Sequence, residues 1–200
     1  MMMPMTMMSS TISNYTDNLP DFVYKFTVED HDYWKPIVLN SIERAKEINN
    51  IKLNEKGYYY DFNIPNAPRP YVEIINNIIL DFVEDIRHKH GFKRSELRSQ
   101  KWWFQQYIQG SDFGWHEHAG HWAFIYYVEL PEMNEATEFL NFLNGDFNLK
   151  EGDVIFFPTF LIHRSPEIKS NLRKTIVAGN IQFSVDREMI EKYGKEYFRN

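Results

Sequence analysis

The sequence predicts an α+β protein that is mainly β, with an antiparallel sandwich or barrel backed by helices. Two observations lead to this prediction. From Tyr71 to Lys89, apolar residues recur at helical spacing, which indicates a helix with one buried face. From about Gln100 onward, short segments rich in aromatic and β-branched residues alternate with turn residues, a pattern typical of antiparallel strands. The helix is therefore expected to back the sheet.

The first half of the chain is predicted to begin with a short alternating strand over residues 22–26. A helix follows from Asp30, whose carboxylate can cap the first turn, to about Asn49. Residues 57–70 are rich in Tyr, Asn and Pro and form a predicted connection that either folds over a functional site or packs on the surface, with the surface position favoured. Gly91 is expected to end the second helix.

The second half is predicted to be almost entirely β. The strands are placed at residues 100–108, 122–130, 137–143, 154–158 and 173–185. A short helix from Glu188 to Phe198 is predicted to close the chain. Residues 1–20 are expected to be a flexible N-terminus that precedes one domain of residues 21–200.

Composition narrows the classes of function. The chain has 200 residues, of which 43% are hydrophobic, enough for one sizeable core. A formal net charge of -6, without a basic stripe, argues against a nucleic-acid partner. No window approaches the roughly 20 apolar residues of a membrane span, and residues 1–20 lack signal-peptide features, so a cytoplasmic protein without a membrane partner is expected. With no cysteine, imidazole, carboxylate and water remain as metal ligands.

Three histidines are candidate metal ligands. Residues 116–118 read His-Glu-His. In an extended strand His116 and His118 share a face and can converge on one ion, while Glu117 points away. His163 lies much later, after the apolar run of residues 153–158. A facial metal site needs this combination of two ligands from one strand and one from another.

The remaining histidines have simpler interpretations. His31, His88 and His90 are expected to be hydrogen-bonded core or surface residues. His121, at the start of a predicted strand, fits either role. A His-x-His pair by itself is a weak indication of a metal site, so the surrounding pattern has to decide.

That pattern resembles a known family. Tyr107-x-x-Gly110-x-x-Phe113-x-x-His116-x-His118 resembles the prolyl-hydroxylase-like branch of the iron(II)- and 2-oxoglutarate-dependent oxygenases. In that branch a Tyr-x-x-Gly-x-x-aromatic run leads into His-x-Asp. The chain looks similar to small phage-encoded members, which implies the cytoplasm of a host cell if the protein is viral.

The resemblance continues downstream and covers about residues 100–183. Residues 137–139 look like the family's Thr-x-Phe strand, and residues 151–153 look like the turn before the next strand. His163 looks like the distal ligand. Residues 173–175, Arg-Lys-Thr, begin ten positions later and look like the basic strand that holds the co-substrate. Together these ordered elements are moderately specific.

The resemblance implies a double-stranded β-helix, or jelly-roll, core and a dioxygenase that uses Fe(II), 2-oxoglutarate as co-substrate and O2 to hydroxylate a C–H bond. The three candidate histidines would hold the iron. Arg173 would grip the distal carboxylate of 2-oxoglutarate as a planar fork. Thr175, on the same face of the strand, and Tyr107 would donate further hydrogen bonds. The substrate would be a small molecule or a peptide, with peptidyl proline as the nearest guess.

One position departs from the family pattern, because His118 stands where the family has a carboxylate. Three neutral imidazoles suit iron, copper, nickel and zinc alike. A shifted register that begins at His118 and continues through Ala119 and Gly120, as in the family's halogenases, breaks the spacing from Tyr107. Glu117 can bind a metal only if the strand bulges.

Two other classes of protein stay open. A cupin-like dioxygenase would use the same three histidines without 2-oxoglutarate and would have no need of Arg173. A non-catalytic jelly-roll binding module would need none of these residues. Neither the substrate nor the oligomeric state follows from the sequence.

Overall fold

The computed structural model describes residues 22–90, 102–140, 142 and 147–183. The flexible segment predicted for residues 1–20 and the helix predicted from Glu188 to Phe198 lie outside the described residues. Within those ranges the prediction of an α+β, mainly β protein is confirmed. No helix in these ranges is both long and apolar enough to cross a membrane.

Two helices precede most of the strands. They are α1 (His31–Ile48) and α2 (Tyr71–Lys89), and a 3-10 turn covers Met133–Glu135. The strands are β1 (Tyr24–Thr27), β2 (Tyr58–Tyr60), β3 (Trp102–Tyr107), β4 (Phe113–His116), β5 (Trp122–Glu129), β6 (Glu138–Phe139), β7 (Asp153–Pro158), β8 (His163–Ser165) and β9 (Lys174–Ile181).

Both predicted helices form close to their expected bounds. The apolar stripe of α2 buries Ile75, Ile79 and Val83, as its periodicity predicts. The side-chain cap predicted for α1 is wrong, because the Asp30 carboxylate makes no capping hydrogen bond. Instead, the Asp30 backbone carbonyl accepts from the N–H of Trp34 at 3.0 Å.

In the described part of the chain the strands pair antiparallel in two sheets. The larger has the order β1-β7-β5-β9-β3-β2, and the smaller has the order β4-β8-β6. The prediction missed β2 and β8, because three residues carry too little alternation to indicate a strand. The strand predicted over residues 137–143 is only two residues long.

Side-chain alternation gives the larger sheet two distinct faces. Phe124 and Tyr126 of β5 pack in a core with the two helices. Ala123, Ile125 and Tyr127 of the same strand pack in a second core with β6 of the smaller sheet. The candidate site lies on this second face, between the sheets.

Candidate active site

The structure brings His116, His118 and His163 together. One ring nitrogen of each lies within 4.8 Å of the others, and the ring centroids are 4.3 to 5.1 Å apart. His116 ends β4 and pairs directly with His163 at the start of β8. His118 follows β4, where its backbone N–H donates to the Thr159 carbonyl at 3.1 Å. Two segments distant in sequence thus place three imidazoles around one point.

Hydrogen bonds from the three histidine rings define which nitrogen of each ring is available to bind a metal. The Nδ1–H of His116 donates to the Gly114 carbonyl at 2.8 Å, and that of His163 donates to the Leu161 carbonyl at 2.8 Å. The Nδ1–H of His118 donates to Oδ1 of Asn180 at 2.7 Å. These acceptors set the tautomer, so the lone pair of each ring lies on Nε2.

The three rings are held neutral. Burial lowers the pKa of His116 and of His118. Burial, reinforced by the neighbouring His116, lowers the pKa of His163 to about 3. Because neutral imidazole is the form that binds metal, the cluster needs no further deprotonation at neutral pH.

The donor set fits a divalent first-row metal such as iron, with His116, His118 and His163 as ligands. Among the described residues, no carboxylate belongs to this cluster. Glu117 was expected to point away, yet it lines the same cavity. Strict alternation does not extend to it because β4 ends at His116.

The histidines open onto a cavity of about 520 Å³, a volume typical of small-ligand sites. Its walls combine aromatic side chains with a few polar groups. The aromatic lining residues are Tyr60, Phe62, Trp103, Tyr107 and Phe113. The remaining polar lining includes Gln105, Thr137, Arg164, Ser165, Asn180 and Gln182. Gln105 is buried, and its amide nitrogen has no hydrogen-bond partner among the described residues.

A buried cation adjoins the cavity wall. Lys174 is fully buried, and its ammonium donates to the Ser165 hydroxyl at 2.8 Å and to the Glu135 carbonyl at 2.5 Å. It also lies 5.1 Å from the ring centroid of Tyr107. Burial lowers the pKa of Lys174 to about 7, against the raising effect of Glu135. Ser165 and Tyr107 both line the cavity, so an ionisable amine stands directly behind its wall.

The structure does not bring Arg173 and Thr175 to the cavity. The guanidinium of Arg173 grips Glu129 through Nε at 2.8 Å and Nη2 at 3.1 Å. The Thr175 hydroxyl donates to the same carboxylate. Both side chains therefore share a face, as predicted, but it is the face toward α1, where Arg173 also meets Glu43 at 3.4 Å. Their predicted role requires a cavity-facing side chain. On the opposite face of β9, the Lys174 side chain instead reaches Ser165 in the cavity wall.

Sequence reasoning did not single out Lys174 and Asn180, which contact the cavity wall and His118 respectively. The signal that could have found them is the alternation in β9, because Lys174, Ile176, Ala178 and Asn180 share one face. The last three of these line the cavity. Tyr107, which was predicted as a co-substrate contact, also lines it.

Two comparisons with known proteins found nothing. No protein-family model matches the chain, and no curated protein matches it.

Solved structures do match. A prolyl-4-hydroxylase from Pseudomonas putida superposes with a TM-score of 0.57 at 9% identity, covering 81% of this chain and 92% of that chain. The fold is shared. A prolyl hydroxylase from Trichoplax adhaerens, in complex with a hypoxia inducible factor peptide fragment, has a TM-score of 0.54 at 7% identity and covers 81% of this chain and 84% of its own. The predicted double-stranded β-helix fold is thereby confirmed.

A third structure extends the likeness beyond prolyl hydroxylases. The non-heme alpha-ketoglutarate-dependent carbocyclase SnoK from nogalamycin biosynthesis has a TM-score of 0.57 at 7% identity, covering 85% of each chain. At such low identities the likeness establishes the fold, and the activity has to be argued from the site.

Proposed function

We propose that this protein is an Fe(II)- and 2-oxoglutarate-dependent dioxygenase that hydroxylates a C–H bond of a small molecule or a peptide. The observation that carries the proposal is the pairing of three convergent, neutral imidazoles with a buried lysine behind the wall of the same cavity. A metal site without an anion-binding group would serve many reactions. The metal site and the lysine together suit an oxygenase that binds an anionic co-substrate on its metal.

His116, His118 and His163 would hold the metal through Nε2. Their Nδ1 hydrogen bonds keep the rings oriented, so little reorganisation is needed on binding. When bound, iron supplies the activation of O2 and the oxidation of the co-substrate and substrate. The protein contributes ligand geometry, co-substrate orientation and a cavity with an aromatic wall.

Lys174 is the proposed anchor for the distal carboxylate of 2-oxoglutarate. Its hydrogen-bond partner Ser165 lies two residues beyond His163 on β8, about 6–7 Å along the strand. That spacing suits a short diacid with one end at the histidines and the other at the ammonium. The hydroxyls of Ser165 and Tyr107, which both line the cavity, would complete the carboxylate site.

The substrate would enter along the aromatic wall. Trp103 packs against the ring of His118 at 5.4 Å between centroids, and Phe62 packs against Trp103 at 4.9 Å. Such walls bind apolar rings and chains without prescribing one substrate. Peptidyl proline remains the nearest guess, supported by the two prolyl hydroxylases of the same fold. We propose a cytoplasmic setting, which would be that of the host cell if the protein is viral, as its resemblance to phage-encoded oxygenases suggests.

The proposal is tested by anaerobic titration of the Fe(II)-loaded protein with 2-oxoglutarate. A metal-to-ligand charge-transfer band that saturates with the co-substrate is expected, and succinate should form when O2 is admitted. If iron binds but 2-oxoglutarate produces no band, the proposal fails. A cupin-like dioxygenase that binds its substrate directly to the metal would then explain the histidines better.

A further inference from the structure

Asn180 connects β9 to the metal ligand that departs from the family pattern. Its Oδ1 accepts the Nδ1–H of His118 at 2.7 Å, across 62 positions of sequence, and Asn180 also lines the cavity. His116 and His163 have backbone carbonyls as the corresponding acceptors. Of the three ligands, only His118 is therefore oriented by a side chain.

The acceptors behind the ligands are all uncharged. Two are backbone carbonyls and one is an amide, so none of the three imidazoles is paired with a carboxylate. The ligands themselves are also neutral. A divalent ion held here would keep its full charge beside three neutral rings, of which His163 is buried and His116 and His118 are half-buried. An uncompensated charge in a partly dehydrated setting is unfavourable.

We propose that Asn180 is a positioning residue that holds His118 without adding negative charge, and that tight metal binding therefore requires an anionic co-substrate. The near carboxylate of 2-oxoglutarate would offset one of the two positive charges that three neutral imidazoles leave uncompensated on a divalent ion. Its far carboxylate would offset the ammonium of Lys174. Metal and co-substrate thus bind cooperatively, each raising the affinity for the other by one common factor. This inference rests on the proposed function.

The choice of asparagine matters for this coupling. A carboxylate at position 180 would accept the same hydrogen bond with almost the same shape, but it would bring a negative charge within one imidazole of the metal. Such a pair strengthens imidazole as a metal ligand. The wild-type Asn180 amide adds no charge, so the charge of the metal has to be offset by the anionic co-substrate.

The first experiment measures the coupling in the wild type. Mn(II), which does not react with O2 as Fe(II) does, is titrated into metal-free protein by calorimetry with and without saturating 2-oxoglutarate. We expect the co-substrate to tighten Mn(II) binding by about 10- to 100-fold, within the usual range of coupling between sites. The reverse titration, 2-oxoglutarate into protein with and without Mn(II), should give the same factor.

The second experiment varies the charge behind His118. Asn180→Asp should tighten Mn(II) binding without 2-oxoglutarate by about tenfold and reduce the coupling factor correspondingly. Asn180→Leu, which has a similar shape but no acceptor, should weaken Mn(II) binding by about 10- to 100-fold in both conditions. Asn77→Asp makes the same change of charge at an exposed position of α2 and should alter neither affinity.

Glu117 requires its own control because it lines the cavity. Glu117→Gln should change Mn(II) affinity by less than about threefold, since compensation is assigned to the co-substrate. A loss comparable to that of Asn180→Leu would overturn the inference by identifying Glu117 as the compensating charge.

Two other results would overturn it and can be told apart. If 2-oxoglutarate binds the Mn(II) protein but leaves metal affinity unchanged, or if Asn180→Asp behaves like Asn77→Asp, the coupling is wrong while the proposed function stands. If 2-oxoglutarate binds neither the metal-loaded nor the metal-free protein, the proposed function fails as well.

Discussion

The ammonium of Lys174 lies 2.8 Å from the hydroxyl of Ser165, and this pair links a completely buried charge to the wall of the cavity. Burial lowers the pKa of Lys174 to about 7, so the free protein holds this lysine partly neutral under physiological conditions. An anion that binds beside it favours the charged form. Anion binding and proton uptake are therefore linked.

That linkage predicts a pH dependence of co-substrate binding. Below pH 7 the amine is already protonated and 2-oxoglutarate affinity should be nearly constant. Above pH 7 a proton must be taken up, so affinity should fall by up to about tenfold per pH unit. Calorimetry in buffers of different ionisation enthalpy should detect uptake of about one proton at pH 8. The Lys174→Arg variant is charged at every pH and should bind 2-oxoglutarate without taking up a proton. An equal proton uptake in that variant would show that Lys174 is not the group that titrates.

Lys174 should also affect stability. Between pH 7 and 10.5, the usual value for lysine, the unfolded chain holds a proton that the folded protein releases, so the free energy of unfolding rises with pH in this window. Relative to Lys174→Met, the metal-free wild type should gain on the order of 3 kcal/mol between pH 7 and 9.5. Urea unfolding at both pH values measures the difference. Parallel pH profiles for the two proteins would show that Lys174 is protonated throughout.

Substitutions at Arg173 and at Lys174 should have different effects, the first on folding stability and the second on co-substrate binding. Arg173→Ala removes the paired contact with Glu129 and should cost about 1–2 kcal/mol of folding free energy. It should leave 2-oxoglutarate affinity within about threefold of the wild type. Lys174→Met should instead weaken 2-oxoglutarate binding by roughly 30-fold or more, since a charged partner is lost, while Mn(II) still binds. Loss of co-substrate binding in Arg173→Ala alone would restore the role predicted from sequence.

The ligand set predicts how metal content responds to histidine changes. His163→Ala should reduce iron occupancy sharply, because two imidazoles cannot hold a facial site against water. His88→Ala is the matched control, since His88 is exposed on α2. Metal analysis of the two purified variants provides the comparison. Unchanged iron in His163→Ala would refute the three-histidine centre.

His118→Asp tests the departure from the family pattern. The variant would have two imidazoles and one carboxylate, the facial set typical of non-heme Fe(II) oxygenases, and the harder carboxylate should shift the relative preference toward iron compared with three imidazoles. We expect iron to be retained and the fraction of copper and zinc to fall in protein loaded from an equimolar mixture. Complete loss of metal would mean that the segment after β4 is positioned for the longer imidazole and that the shorter carboxylate falls short of the ion.

Local patterns were sufficient for several features of this protein. The spacing of apolar residues predicted both helices, because helical periodicity depends only on residues three and four apart. The spacing in His116-x-His118, together with His163 and the surrounding family-like pattern, predicted three candidate ligands that the structure brings together, because metal chemistry depends on side-chain type. Alternation also placed Arg173 and Thr175 on one face of β9.

Which face of β9 lines the cavity was decided by the tertiary structure. A shift of one residue exchanges every side chain between the two faces of a strand, and the choice depends on the strands and helices that pack on either side. That choice turned Arg173 toward α1 and Lys174 toward the site. The hydrogen bond from His118 to Asn180 likewise joins positions 62 residues apart, so only the folded chain brings the amide to the ligand that it orients.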